Sequence, residues 1–134
     1  MNPNITIRKA ANKDLLSVQS LLSTCLLEID DLPVDNFIVA ENTYKNKLLG
    51  MAAETNRNYP EIHTVAVHPS YRSKGIGSKL VNYILDRQPE GRKMIYVQTI
   101  VPEFFEKLGF LKLYSNGKTQ CNGYVFLYYP LQNE

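Results

Sequence analysis

Arg72, Lys74, Gly75 and Gly77 stand in the run RSKGIG, where residue types and spacing suit the capture of an anion. The run opens a helix that carries Ile76, Leu80, Val81, Ile84 and Leu85 at helical spacing. Ahead of it, residues 61–67 (EIHTVAV) form a β-branched run that reads as a strand, and 68–72 make a polar turn with one proline. A strand that feeds a glycine-flanked basic turn into a helix N-terminus makes a phosphate cradle. Unpaired backbone N–H groups and the positive end of the helix dipole both face the anion.

Two common cradles are excluded. A nucleoside-triphosphate loop requires a Gly-Lys-Ser/Thr after its first glycine, and none follows Gly75. A dinucleotide fingerprint needs a third glycine where Leu80 stands, and it needs an acidic residue in a second strand.

The elements that must position this loop are legible in the rest of the chain. Residues 5–8 alternate as a first strand, and Asn12 offers an N-cap to a helix carrying Leu15, Leu16, Val18, Leu21, Leu22 and Leu26. Residues 28–35 (EIDDLPVD) are acidic and broken by Pro33, hence a loop. Residues 36–40 and 47–54 form a hairpin around the polar turn 41–46, with Gly50 inside its second strand. After the central helix, 94–97 is a fifth strand, and Pro102 opens a short helix that Gly109 stops. Residues 110–114 form a sixth strand, 115–123 a polar loop, and 124–129 an aromatic last strand. The sum is an α/β chain with a mixed, mostly antiparallel sheet and helices on its faces.

With 134 residues the chain is expected to be a single domain spanning 1–134. A formal net charge of +2 is too small to argue for nucleic acid or an anionic membrane surface as the partner, and neither is expected. Cys25 and Cys121 lack metal-ligand spacing, so no metal is expected, and both read as reduced thiols. With no leader pattern and no apolar run of spanning length, a soluble cytoplasmic protein is expected.

The pattern Arg72-x-x-Gly75-x-Gly77 after a Val-x-Val strand end resembles the coenzyme A pyrophosphate loop of the GCN5-related N-acetyltransferases, the GNAT superfamily. The run Phe104-Phe105-Glu106-Lys107-Leu108-Gly109-Phe110 looks like that family's F-Y-E-K-x-G-F signature, and the likeness covers essentially the whole chain. The resemblance implies the acyl-CoA N-acyltransferase fold and direct transfer from acetyl-CoA to a primary amine of a small molecule or amino acid. Val65, Ala66 and Val67 would pair through their backbone with the pantetheine arm and the acetyl carbonyl. Ser73, Lys74, Gly75, Ile76, Gly77 and Ser78 would give N–H groups to the pyrophosphate, with Arg72 adding charge. Gln98 or Thr99 would stand for the family's pantetheine-binding asparagine, and Phe104 would flank the cofactor. The acidic 28–35 segment would form a wall of the acceptor site.

Attack on the thioester requires a base for the amine proton. By resemblance, Glu61 occupies the place of the histone acetyltransferases' glutamate, and His63 that of one of serotonin N-acetyltransferase's paired histidines. Both share strand parity with Val65 and Val67, and a histidine titrates near neutrality. Glu54 is a third candidate. The family's tyrosine acid is replaced by Phe105, leaving Tyr114 and Tyr124 as substitutes or no acid at all. Ala52, Glu54, Thr99 and the 104–110 run look like the amino-acid acetyltransferase branch related to N-acetylglutamate synthase, whose acceptor-binding arginine has only Lys112 as its nearest counterpart. Two alternatives stand beside the enzyme: a catalytically weak acyl-CoA-binding sensor or subunit, and a peptide or protein N-terminal acetyltransferase. A homodimer is compatible with each.

Overall fold

The computed structural model describes residues 4–27, 32–113, 120–121 and 123–131. Its strands are β1 (Ile5–Lys9), β2 (Phe37–Asn42), β3 (Lys47–Asn56), β4 (Pro60–Val67), β5 (Met94–Thr99), β6 (Leu111–Lys112), β7 (Gln120–Cys121) and β8 (Tyr124–Pro130). Its helices are α1 (Leu15–Thr24), α2 (Ile76–Asp86) and α3 (Pro102–Lys107). The chain forms two compact units, Met1–Glu54 with Thr64–Arg87, and Thr55–His63 with Gln88–Glu134. The expected class, a mixed and mostly antiparallel sheet with helices, is the one found.

In the first unit the strand order is β1-β2-β3-β4. β2 and β3 are buried on successive residues rather than alternate ones, because helices cover both faces. On one face Val18, Leu21 and Leu22 of α1 cluster with Phe37, Val39, Met51, Ala53 and Ala66. Gly50 points to the other face, where α2 approaches closely. A Cβ there would lie 3.0 Å from the Ala66 carbonyl oxygen, 3.2 Å from Ile76 Cγ2 and 3.3 Å from Leu80 Cδ1. Glycine inside β3 is therefore what seats the loop-bearing helix, since Ile76 and Leu80 have no room to retreat.

The start of α1 differs from expectation. Asn12 is no cap; a 3-10 turn over Asn12–Asp14 precedes the helix. Asp14 does the capping work instead, its Oδ2 accepting the Ala11 N–H at 2.7 Å. Arg8 of β1 then donates to both Asp14 oxygens at 2.8 and 3.0 Å, and through Nε to Glu41 Oε1 at 3.0 Å. A buried carboxylate satisfied by three donors outcompetes an exposed amide as the helix start. The Arg8 hydrogen bonds hold the Asp14 carboxyl down at about 2, below the ordinary carboxylate range. Because the folded-state value is depressed, the stabilisation is full above the ordinary carboxylate range and is lost as pH falls through about 4 toward 2. Asp14→Asn should remove about 2 kcal/mol at neutral pH and flatten that acid limb, as read by denaturant melts from pH 7 to 2.

In the second unit the strand order is β4-β5-β8-β6, with β7 on β8. β4 and β5 are parallel, pairing Glu61 with Tyr96 and Ile62 with Val97. β5 and β8 are antiparallel, pairing Val97 with Leu127 and Gln98 with Phe126. One face, with Ile62, Ile95, Val97 and Leu127, is fully buried. The opposite face carries Glu61, Tyr96, Gln98 and Phe126. The sixth strand is shorter than expected, and its predicted last residue, Tyr114, lies outside the described residues. β7 falls in the stretch read as polar loop, because two residues are too few to show strand periodicity; it pairs with the start of β8 as a short local hairpin.

Candidate functional site

The loop is built from the end of β4 onward. His68 Nδ1 accepts the Ser70 N–H at 3.0 Å and caps the 3-10 turn Pro69–Tyr71. Arg72 Nε donates to the Val67 carbonyl at 3.0 Å, and this clamps the turn onto the strand. The Cys25 thiol also donates to that carbonyl, at 3.5 Å, with Arg72 Nη2 3.8 Å from its sulfur. Arg72 thus has a structural task in addition to the charge expected of it.

Ser73 at φ +65° and Gly75 at φ +81° then coil the chain into α2. At Gly75 the requirement is conformational: an added Cβ would meet nothing within 4 Å, but L side chains rarely adopt its φ. The Lys79 N–H bonds to the Gly75 carbonyl at 3.1 Å, so the N–H groups of Ile76, Gly77 and Ser78 precede the helical ladder. Ile76 is 1% exposed and anchors the turn, while Ser73, Lys74 and Gly75 are exposed. Within the first unit these features suit an anion: oriented donors, the positive helix end and the Lys74 ammonium.

The second unit holds a cavity of about 410 Å³ lined by Tyr59, Glu61, Tyr96, Val97, Gln98, Leu113, Phe126 and Leu127. Glu61 Oε1 accepts the Thr55 hydroxyl at 3.4 Å. The Tyr59 and Tyr96 rings meet edge to face, centroids 5.3 Å apart at 76°. Of the sequence-derived candidates, Glu61 and Gln98 come together here. The aromatic walls escaped sequence reasoning because they come from separate elements. The one available signal was the period-two placing of Tyr96 and Gln98 opposite buried Ile95 and Val97.

The remaining candidates fall elsewhere. His63 is exposed on β4, two residues beyond Glu61, and does not line the cavity. Glu54 lies in the first unit, half-buried, its carbonyl accepting the Asn36 amide at 2.7 Å. Thr99 is buried and its hydroxyl accepts the Val101 N–H at 2.9 Å, ending β5; of the pair proposed for the pantetheine, Gln98 is the exposed one. Lys112 pairs with Glu106 at 3.9 Å, is itself exposed, and by its register opposite Leu127 projects to the face away from Glu61; it is not among the lining residues. That placement argues against it as the acceptor-carboxylate residue. Residues 28–31 of the acidic loop lie outside the described residues.

Phe104 is half-buried, its ring centroid 4.9 Å from that of Phe105. Phe105 is 3% exposed and also meets Phe110 at 5.2 Å, so it belongs to an aromatic core. Phe105→Tyr is expected to lower stability by about 1–3 kcal/mol, the cost of burying a hydroxyl without a partner, and to leave acyl-transfer rate unimproved. Thermal melts and thiol-release rates check the two halves of that expectation.

Among the described residues no group of three or more His, Cys, Asp or Glu could hold a metal ion, and no helix is long and apolar enough to cross a membrane. A family model described as acetyltransferase (GNAT) domain matches residues 33–112. The fold is similar to that of N-acetylglutamate synthase from Neisseria gonorrhoeae, crystallised with coenzyme A and L-arginine, at TM-score 0.79 and 21% identity. That alignment covers 96% of this chain and 34% of the synthase, so the chain spans about a third of its length. Rv2747 from Mycobacterium tuberculosis, in complex with coenzyme A, aligns at TM-score 0.78 and 24% identity over 95% of this chain and 99% of its own. Arabidopsis thaliana Naa50, bound to the bisubstrate analogue CoA-Ac-MVNAL, aligns at TM-score 0.71 and 18% identity over 93% and 97%. With the family model covering more than half of its residues, and a strand–turn–helix loop of the expected form, the chain belongs to the GNAT acetyltransferases.

Proposed function

We propose that this protein transfers the acetyl group of acetyl-CoA to a primary amine, as an N-acetyltransferase of a small-molecule acceptor. The observation that carries the reading is the loop from Arg72 to Ser78, with its left-handed Gly75 and unladdered N–H groups at the α2 N-terminus. Those donors and Lys74 hold the pyrophosphate, and the backbone of Val65 to Val67 faces the pantetheine arm. Glu61, lining the cavity, is the base. The acceptor's ammonium gives up a proton, and its nitrogen adds to the thioester carbonyl carbon. The C–N bond forms, the C–S bond breaks, and the sulfur leaves to be protonated from solvent, since Phe105 has no proton to give. The products are an amide and free coenzyme A thiol. A free Cys25 thiol accords with a reducing, cytoplasmic setting.

The test is steady thiol release from acetyl-CoA with a panel of amines, amino acids and peptides. Turnover with at least one acceptor is expected. Tight acetyl-CoA binding by calorimetry, without turnover of any acceptor, would replace this reading with the acyl-CoA-binding module that Phe105 favours.

A further inference from the structure

We infer that the cavity of the second unit selects a small monoammonium compound with an aromatic or apolar body and no carboxylate beside the amine. The inference rests on the acetyltransfer reading for the fate of that amine, and on the cavity alone for its selection.

Charge comes first. Glu61 is the one charged side chain among the described lining residues, and no Lys or Arg stands with it. Of the basic side chains near the lining strands in sequence, Arg57 and Lys93 are not among the lining residues, and two others are engaged elsewhere. Lys112 pairs with Glu106 at 3.9 Å, and Arg92 Nη1 donates to Gln88 Oε1 at 2.7 Å. An α-amino acid placed with its ammonium on Glu61 would bring its carboxylate into apolar lining with no cation to receive it. Desolvating that unpaired charge opposes binding. An amine lacking the carboxylate meets only the attraction.

The walls supply the rest. Tyr59, Tyr96 and Phe126 present aromatic rings on the Glu61 side of the strands, and Leu113 adds aliphatic surface. Ring faces attract an ammonium, and the same rings remove an apolar body from water. About 410 Å³ is near the lower end of the roughly 300–1,000 Å³ that small-molecule sites span, which suits a compact metabolite rather than an extended peptide.

The experiment is calorimetry on the intact protein with coenzyme A present, using phenethylamine, phenylalanine and 2-phenylethanol. The first pair differs by the carboxylate, and the first and third by the cationic nitrogen. Phenethylamine is expected to bind at least roughly tenfold more tightly than either. Tyr96→Leu should weaken phenethylamine by roughly tenfold and 2-phenylethanol far less. Leu113→Arg, which installs the missing cation, should shift preference toward phenylalanine. Equal or tighter binding of phenylalanine by the native protein would overturn the inference. Thiol release separates the two readings. Phenethylamine binding with the stated preference but no turnover of any amine would defeat acetyltransfer and leave the cavity assignment standing. Turnover confined to amino acids or peptides would do the reverse.

Discussion

Gly77→Glu is expected to raise the coenzyme A dissociation constant about a thousandfold, roughly 4 kcal/mol, while leaving the free protein as stable as before or slightly more so. Gly77 lies in the first turn of α2, among N–H groups that precede the helical ladder. A glutamate there puts a carboxylate where the pyrophosphate charge must sit, and its side chain blocks the approach of phosphate oxygens to two or three backbone donors. The same change favours the helix itself, since glutamate is a better helix former than glycine and an acidic first turn suits the dipole. Ligand binding and folding are thereby pulled in opposite directions. Calorimetry for coenzyme A beside a thermal melt reads both, and near-native affinity would remove the pyrophosphate assignment from this loop.

Glu61→Gln should lower kcat/KM by roughly a hundredfold to ten-thousandfold, with the deficit greatest at neutral pH. The substitution keeps the side chain's shape and a partner for the Thr55 hydroxyl, so folding is expected to be unaffected. What is lost is the group that attracts the ammonium and takes its proton. Raising the pH until the free amine deprotonates itself should restore much of the rate, a recovery that a purely structural defect would not show. His63→Gln, exposed and outside the cavity lining, is the comparison variant, and its rate should stay within a fewfold. A loss at His63 in place of Glu61 would move the base to the imidazole.

Local periodicity explains why so much of the fold could be read in advance. α2 was legible because Ile76, Leu80, Val81 and Ile84 all face the core at helical spacing, and those four are the buried residues of the helix. β2 and β3 were legible as a hairpin, but nothing local said that helices would cover both their faces. The N-terminus of α1 was misread because Asn12 is a good cap in isolation. Asp14 gains its advantage only from Arg8 on β1, a partner brought near by tertiary folding. β7 was missed for a different reason: its hairpin partner on β8 is local, but a two-residue strand carries no readable alternation.

For the site the division is similar. The anion loop is a continuous stretch whose chemistry resides in local conformation, so Arg72, Gly75 and Gly77 announced it without a structure. The candidate bases were a set of three, among which the sequence slightly favoured His63. Only the assembled strands placed Glu61 with Tyr59, Tyr96 and Phe126 and set His63 outside the cavity lining. Lys112 could be weighed for an acceptor carboxylate until its register opposite Leu127 put it on the face away from Glu61. The sequence alone therefore determined the loop at the α2 N-terminus that we propose for coenzyme A, because backbone N–H groups and glycine conformations are local properties. The cavity proposed for the acceptor was decided by tertiary structure, because a cavity exists only where side chains from distant strands share one face.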